Sequence, residues 1–147
     1  MHKIAAAAAV LFALVTAGTA GAGLRVGVAE DTTGYSDGGA AIYSAMRGAG
    51  MSAVRATVLW DETRPTEIRG EGALVRSVDA AVANGLEVSM AISPIKAAGV
   101  TGTPNGTELF AQYCLLVAKT FPQVKNLIIG NEPNQPRFWQ PQFDAQG

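Results

Sequence analysis

The chain has 147 residues, a net charge of −1 and 48% apolar residues, so no bulk field draws it to nucleic acid or to an acidic lipid surface. Its single cysteine, Cys114, excludes an internal disulfide and a zinc site built on several cysteines, and its only histidine is His2. Past the leader, a Ser-His-Asp triad, a Cys-His pair and a His-ligated metal are therefore excluded, which leaves carboxylates, amides, hydroxyls and basic side chains to do any chemistry.

Residues 1–22 read as a secretory signal peptide. His2 and Lys3 open it, an apolar core runs from Ile4 to Val15, and Ala20-Gly21-Ala22 offers a small-residue cleavage site before Gly23. The core is about 12 residues long, short of the ~20 a bilayer span needs. A secreted or extracytoplasmic protein is expected, with no membrane attachment after cleavage and a single domain over residues 23–147.

A strand–helix alternation starts at Leu24. Leu24-Arg25-Val26-Gly27-Val28 reads as a strand bounded by Glu30-Asp31. Gly38 to Gly50 carries Ile42, Ala45, Met46 and Ala49 at helical spacing, with Gly50 placed to stop the helix. Ala53 to Trp60 is a second strand. Ala73 to Ala83 shows Leu74, Val75, Val78, Ala81 and Val82 on one face and ends at Asn84-Gly85. Leu86 to Ile92 is a third strand, punctuated by Ser93-Pro94. Thr107 to Phe121 repeats Leu109, Phe110, Tyr113, Cys114, Val117, Ala118 and Phe121 at three and four, which makes Cys114 a core residue. Asn105, with Glu108 three residues on, predicts an N-terminal cap. Val124 to Gly130 is the fourth strand. Gly50-Met51 and Gly85-Leu86 each close a helix and lead straight into a strand.

Strand starts near 24, 53, 86 and 124 are separated by 29, 33 and 38 residues, the length of βαβ units. A parallel α/β sheet covered by helices follows, with the polar strand ends on one rim. A closed barrel and a doubly wound sheet share this alternation. The first strand, however, is followed by acidic Glu30-Asp31 and not by a glycine-rich phosphate cradle.

The fourth strand runs through Gly130 into Asn131-Glu132-Pro133-Asn134. A carboxylate at the C-terminal tip of a barrel strand sits where such folds place catalysis. Pro133 predicts extended backbone at Glu132, Gly130 leaves the rim open to a ligand, and the Asn131 amide suits a sugar hydroxyl. The same four residues also read as a plain turn with Glu132 solvated. Trp60 ends a strand on this rim and reads equally as a sugar platform or as a packing residue. Phe138-Trp139 reads as a subsite wall or, more readily, as a cover for the next helix. Glu30, Asp31, Asp61 and Glu62 read as loop charges before they read as subsite residues.

Gly130-Asn131-Glu132-Pro133-Asn134 resembles the fourth-strand motif of glycoside hydrolase clan A, the retaining (β/α)8-barrel glycosidases that include cellulases, mannanases and β-xylosidases. Val54-Arg55 followed by Trp60 resembles the second-strand signature of the same clan. The strand pattern covers most of residues 23–147, and these two stretches are its specific part. The resemblance implies the N-terminal half of a (β/α)8 barrel and an O-glycosyl hydrolase acting on β-glycosidic bonds of an oligo- or polysaccharide. It gives Glu132 the catalytic acid/base role, Asn131 a bond to the sugar 2-hydroxyl, and Arg55 the task of holding the nucleophile carboxylate. Trp60 would join them in binding substrate, and no cofactor or metal is implied. Many members carry a histidine at the end of the third strand, where this chain has Ala91-Ile92-Ser93-Pro94. The clan's nucleophile lies on a seventh strand, so four units alone are expected to be inactive. A non-catalytic carbohydrate-binding barrel and a barrel enzyme of other sugar chemistry are the alternatives.

Overall fold

The computed structural model describes residues 24–29 and 39–143. The leader over 1–22 and the acidic pair Glu30-Asp31 lie outside the described residues. No described helix is long and apolar enough to cross a membrane.

The described elements run β1 (Gly27–Ala29), α1 (Gly39–Gly48), β2 (Ala53–Trp60), α2 (Glu71–Ala83), β3 (Glu87–Pro94), α3 (Gly99–Gly102), α4 (Gly106–Thr120) and β4 (Asn126–Ile129). The four strands form one parallel sheet in the order β1-β2-β3-β4. Neighbours in the chain are thus neighbours in the sheet. A doubly wound sheet reverses its strand order at a switch point, and no reversal occurs among the described strands.

Period-two alternation gives the sheet two unlike faces. On β2, Val54, Ala56, Val58 and Trp60 are buried and lie level with Val88, Met90, Ile92 and Pro94 on β3. Against this apolar face pack Tyr43 of α1, Leu74, Val78 and Ala81 of α2, and Phe110, Tyr113 and Val117 of α4. Right-handed crossovers that all step the same way place the helices on one side. Arg55, Thr57 and Leu59 occupy the other face, level with Ser89, Ala91 and Ser93. No described helix contributes its apolar stripe to that face, and Leu59 and Ile128 stay exposed there.

Helices α1 and α2 stop the same way. Gly50 and Gly85 have φ of 85° and 73°, a conformation that glycine adopts without cost. Met51 N–H bonds to the Met46 carbonyl and Leu86 N–H to the Ala81 carbonyl, both at 3.0 Å, which closes the last turn and aims the chain into the next strand. The Tyr43 hydroxyl bonds Ser77 Oγ at 2.6 Å between the two helices, so the polar tips of this buried pair satisfy each other.

Several boundaries differ from the sequence reading. β1 is shorter and shifted to Gly27–Ala29, and Leu24 is exposed. β3 continues through Ser93-Pro94; β4 pairs with it only as far as Ile92, so Pro94 lies on a one-sided edge, where proline is tolerated. A short helix, α3, was not predicted. Asn105 does precede α4, but its φ is 55° and its side chain makes no cap bond. The predicted capping box is absent because that left-handed backbone is not the extended one a side-chain cap requires.

The start of α4 rests on a close approach. A Cβ on Gly106 would fall on the carbonyl oxygen of Val100, with the carbonyl carbon at 2.9 Å and Thr103 Cβ at 3.1 Å. Those obstacles are largely backbone and cannot rotate away. Gly106→Ala is expected to cost about 1–3 kcal/mol or more through forced backbone shifts, measured as a lowered urea midpoint at unchanged slope. An unchanged midpoint would mean that the α3–α4 turn yields freely.

Candidate active site

Parallel strands carry the C-terminal ends of β2, β3 and β4 to one rim. A cleft of about 330 Å³ opens there on the face that carries no helix. Arg55, Thr57 and Leu59 of β2 line it, with Ala91 and Ser93 of β3, and Asn131, Arg137 and Phe138 from the segment after β4. Two polar atoms in this lining are buried with no hydrogen-bond partner, Arg55 Nε and Ser93 Oγ. A buried group left unpaired costs stability unless something else bonds it.

Arg55 and Asn131 share the cleft as the sequence predicts, while Glu132 does not line it. The Glu132 carboxylate is exposed beside the cleft and accepts a bond from Arg137 at 2.9 Å. Arg137 in turn lies 4.5 Å over the Phe138 ring. Its guanidinium therefore joins the rim carboxylate to the cleft wall. Glu132 opens a turn in which Gln135 N–H donates to the Glu132 carbonyl at 2.9 Å.

The predicted extended backbone at Glu132 is wrong. Its φ is 39°, in the left-handed region that non-glycine residues rarely enter. Gly130, at φ 84°, turns the chain just before it, and the turn to Gln135 overrides the preference that Pro133 imposes. Strain of this kind gathers at functional sites. Glu132→Gly relieves it and gives up an exposed ion pair of little weight. It should hold stability constant or raise it by about 1 kcal/mol, read from chemical denaturation. A clear loss would mean the carboxylate is a structural support.

Gly130 does not hold the rim open for a ligand. A Cβ there would meet the Trp139 ring at 2.7–3.0 Å, so the missing side chain makes room for that indole. Trp139 also meets Phe110 edge-on, with centroids 6.1 Å apart. The Phe138-Trp139 pair is split: Trp139 covers α4, the helix before β4 and not one that follows it, and Phe138 forms part of the wall. Gln140 N–H to the Ala97 carbonyl at 2.9 Å and Gln142 Nε2 to the Pro133 carbonyl at 2.9 Å tie this segment down.

Trp60 as a substrate-binding residue is corrected by its burial. It has 0% exposure and faces the helices, with the Phe110 ring 5.3 Å away at 57°. Its faces are covered by protein and cannot stack on a sugar. Trp60 shares strand parity with Val54 and Val58, opposite to Arg55, so the two residues point to opposite sides of the sheet.

The rim carboxylates of β2 are committed elsewhere. Asp61 accepts bonds from the Thr63 hydroxyl at 2.6 Å and the Thr63 N–H at 2.9 Å, which hold its carboxyl below the ordinary range. Glu62 pairs with Lys96. That contact lowers the Glu62 carboxyl and raises the Lys96 ammonium. Cys114 is half-buried beside the core, and burial pushes its thiol up, away from the nucleophilic form. Burial also raises Tyr113 to about 12, while its hydroxyl donates to the Leu59 carbonyl at 3.0 Å.

Sequence reasoning missed Ser93 and Arg137. Ser93 reads in the sequence as the break after β3, although its parity with Ala91 puts it on the cleft side of the strand. Arg137 stands in a proline-broken segment with no period to read. Among the described residues no group of three or more His, Cys, Asp or Glu could hold a metal ion. Compared with protein-family models, with curated proteins and with solved structures, the chain matches none.

Proposed function

We propose that this chain is the N-terminal half of a (β/α)8 barrel and belongs to a secreted retaining glycosidase that cleaves β-linked glycans. Two features of the fold support the half-barrel reading. The strand order runs in one direction, and one sheet face carries Arg55, Thr57 and Leu59 where a barrel would have its interior. The exposed apolar residues of β4, Leu127, Ile128 and Ile129, suit a strand that further chain would cover.

The observation that carries the catalytic reading is Arg55. Its Nε is buried on the inner face without a partner, and a guanidinium in that position calls for an anion. The clan's nucleophile carboxylate would supply one and would be kept ionised by it. Asn131 then meets the sugar, and Glu132 delivers a proton to the leaving oxygen and later takes one from water. Retaining hydrolysis sets the two carboxyl groups ~5–5.5 Å apart. Glu132 therefore has to leave Arg137 and swing toward the cleft when substrate and the second carboxylate are in place.

The test is turnover by Glu132→Gln in a protein that carries all eight units; turnover equal to the parent's removes the assignment. A carbohydrate-binding barrel without catalysis is the second reading. It is favoured by the absence, among the described residues, of any carboxylate lining the cleft. Binding of a glycan by the complete protein without its hydrolysis would select it.

A further inference from the structure

Of the two unpartnered polar atoms in the cleft, Arg55 Nε has a role in the reading above and Ser93 Oγ has none. Ser93 is 8% exposed. Its hydroxyl is buried without a hydrogen-bond partner, and the residue lines the same cleft as Asn131. Nothing in the packing requires a hydroxyl there. Ala91, two residues earlier on the same face of β3, shows that the strand accepts a methyl side chain. An alanine at 93 would fill the position with no orphaned polar atom, so the hydroxyl is carried at a cost to stability.

A polar group that weakens the fold, on a residue lining a cleft, is explained by a ligand that turns it outward and pairs it. The surroundings say which kind. Ser93 and Asn131 are uncharged and offer both donors and acceptors. Leu59, level with Ser93 across the strands, joins Pro94 and Phe138 in presenting apolar surface to the same space. Arg137 is already engaged by Glu132. Hydroxyl and amide groups beside an apolar wall suit a neutral polyhydroxylated ring, whose C–H face and hydroxyls need both kinds of surface.

We propose that Ser93 is a specificity-determining residue that hydrogen-bonds one ring hydroxyl of the glycan held in the Arg55–Asn131 cleft. This rests on the glycosidase reading of the same cleft. A site built to bond a particular hydroxyl discriminates strongly against the sugar that lacks it. The choice among glucose-, xylose- and mannose-type units would thus be set partly at the end of β3.

The experiment measures binding of cellotriose, xylotriose and mannotriose to the full-length protein by calorimetry. It then repeats the best of them with Ser93→Ala, with Ser93→Thr and with the ligand's single-deoxy analogues. Ser93→Ala should weaken binding about tenfold while its melting midpoint is equal to the parent's or higher, the opposite of what a structural hydroxyl gives. One deoxy analogue should bind the parent about tenfold more weakly and bind Ser93→Ala with no further loss. Ser93→Thr, which keeps the hydroxyl, should retain most of the affinity. Unchanged binding by Ser93→Ala, or a lowered melting midpoint in that variant, overturns this proposal and leaves the glycosidase reading standing. Failure of the parent protein to bind any of the three sugars overturns that reading, and this inference with it.

Discussion

Glu132→Gln, in a protein carrying eight βα units, should hydrolyse unactivated β-linked glycans about 10²–10⁴-fold more slowly than the parent, the usual worth of a positioned acid or base. Glutamine keeps the shape and polarity of the side chain and removes the carboxyl group that gives and takes the proton. The exposed position and the lone ion pair to Arg137 give little reason for the fold to suffer. The loss should therefore fall on kcat, with the melting midpoint preserved. Substrates with a strongly acidic leaving group need no proton in the first step, so their first turnover should be far less impaired. A uniform loss across all leaving groups would point to damage of the cleft and away from proton transfer. Unchanged rates on natural glycans would end the acid/base assignment.

Trp60→Ala should cost about 3–5 kcal/mol, a large share of the 5–15 kcal/mol typical of a whole domain. Trp60 fills the layer between β2 and α4, wholly buried and tilted against Phe110. Removing it leaves a cavity bounded by strand and helix backbone that cannot close over it. Trp60→Phe should cost roughly 1–2 kcal/mol, because the indole Nε1 has no hydrogen-bond partner to lose. Thermal and urea unfolding of the two variants measure both values. A stable Trp60→Ala protein that had lost sugar binding would restore the platform role that the packing denies.

The alternation was legible because burial imposes a period of two on β2 and of nearly four on α2 and α4. The repeated glycine closures at Gly50 and Gly85 could be read for the same reason, since both positions need a left-handed backbone. The sidedness of the rim is also written in β2. Arg55 and Trp60 differ by an odd number of positions, so a strand cannot send both into one cleft.

What lay beyond the sequence was set by tertiary contact. Glu132 takes its backbone from the turn to Gln135 and from Gly130, against the local influence of Pro133. Gly130 is small because Trp139, nine positions on, packs over it. The Arg137 contact bridges five residues of irregular chain, and no periodic pattern foretells such a pair. Asn105 had the composition of a helix cap and the wrong backbone to act as one.

Because each described strand adjoins the one made just before it, none of the three described strand pairings must wait for a distant part of the chain. β2 can dock as soon as β1 and α1 exist, and β3 on β2, in the order in which a ribosome delivers them. β4 is the newest layer of this growth, and its side chains are the least covered of the four strands. Adding units beyond it would extend the same step without dismantling what is already in place.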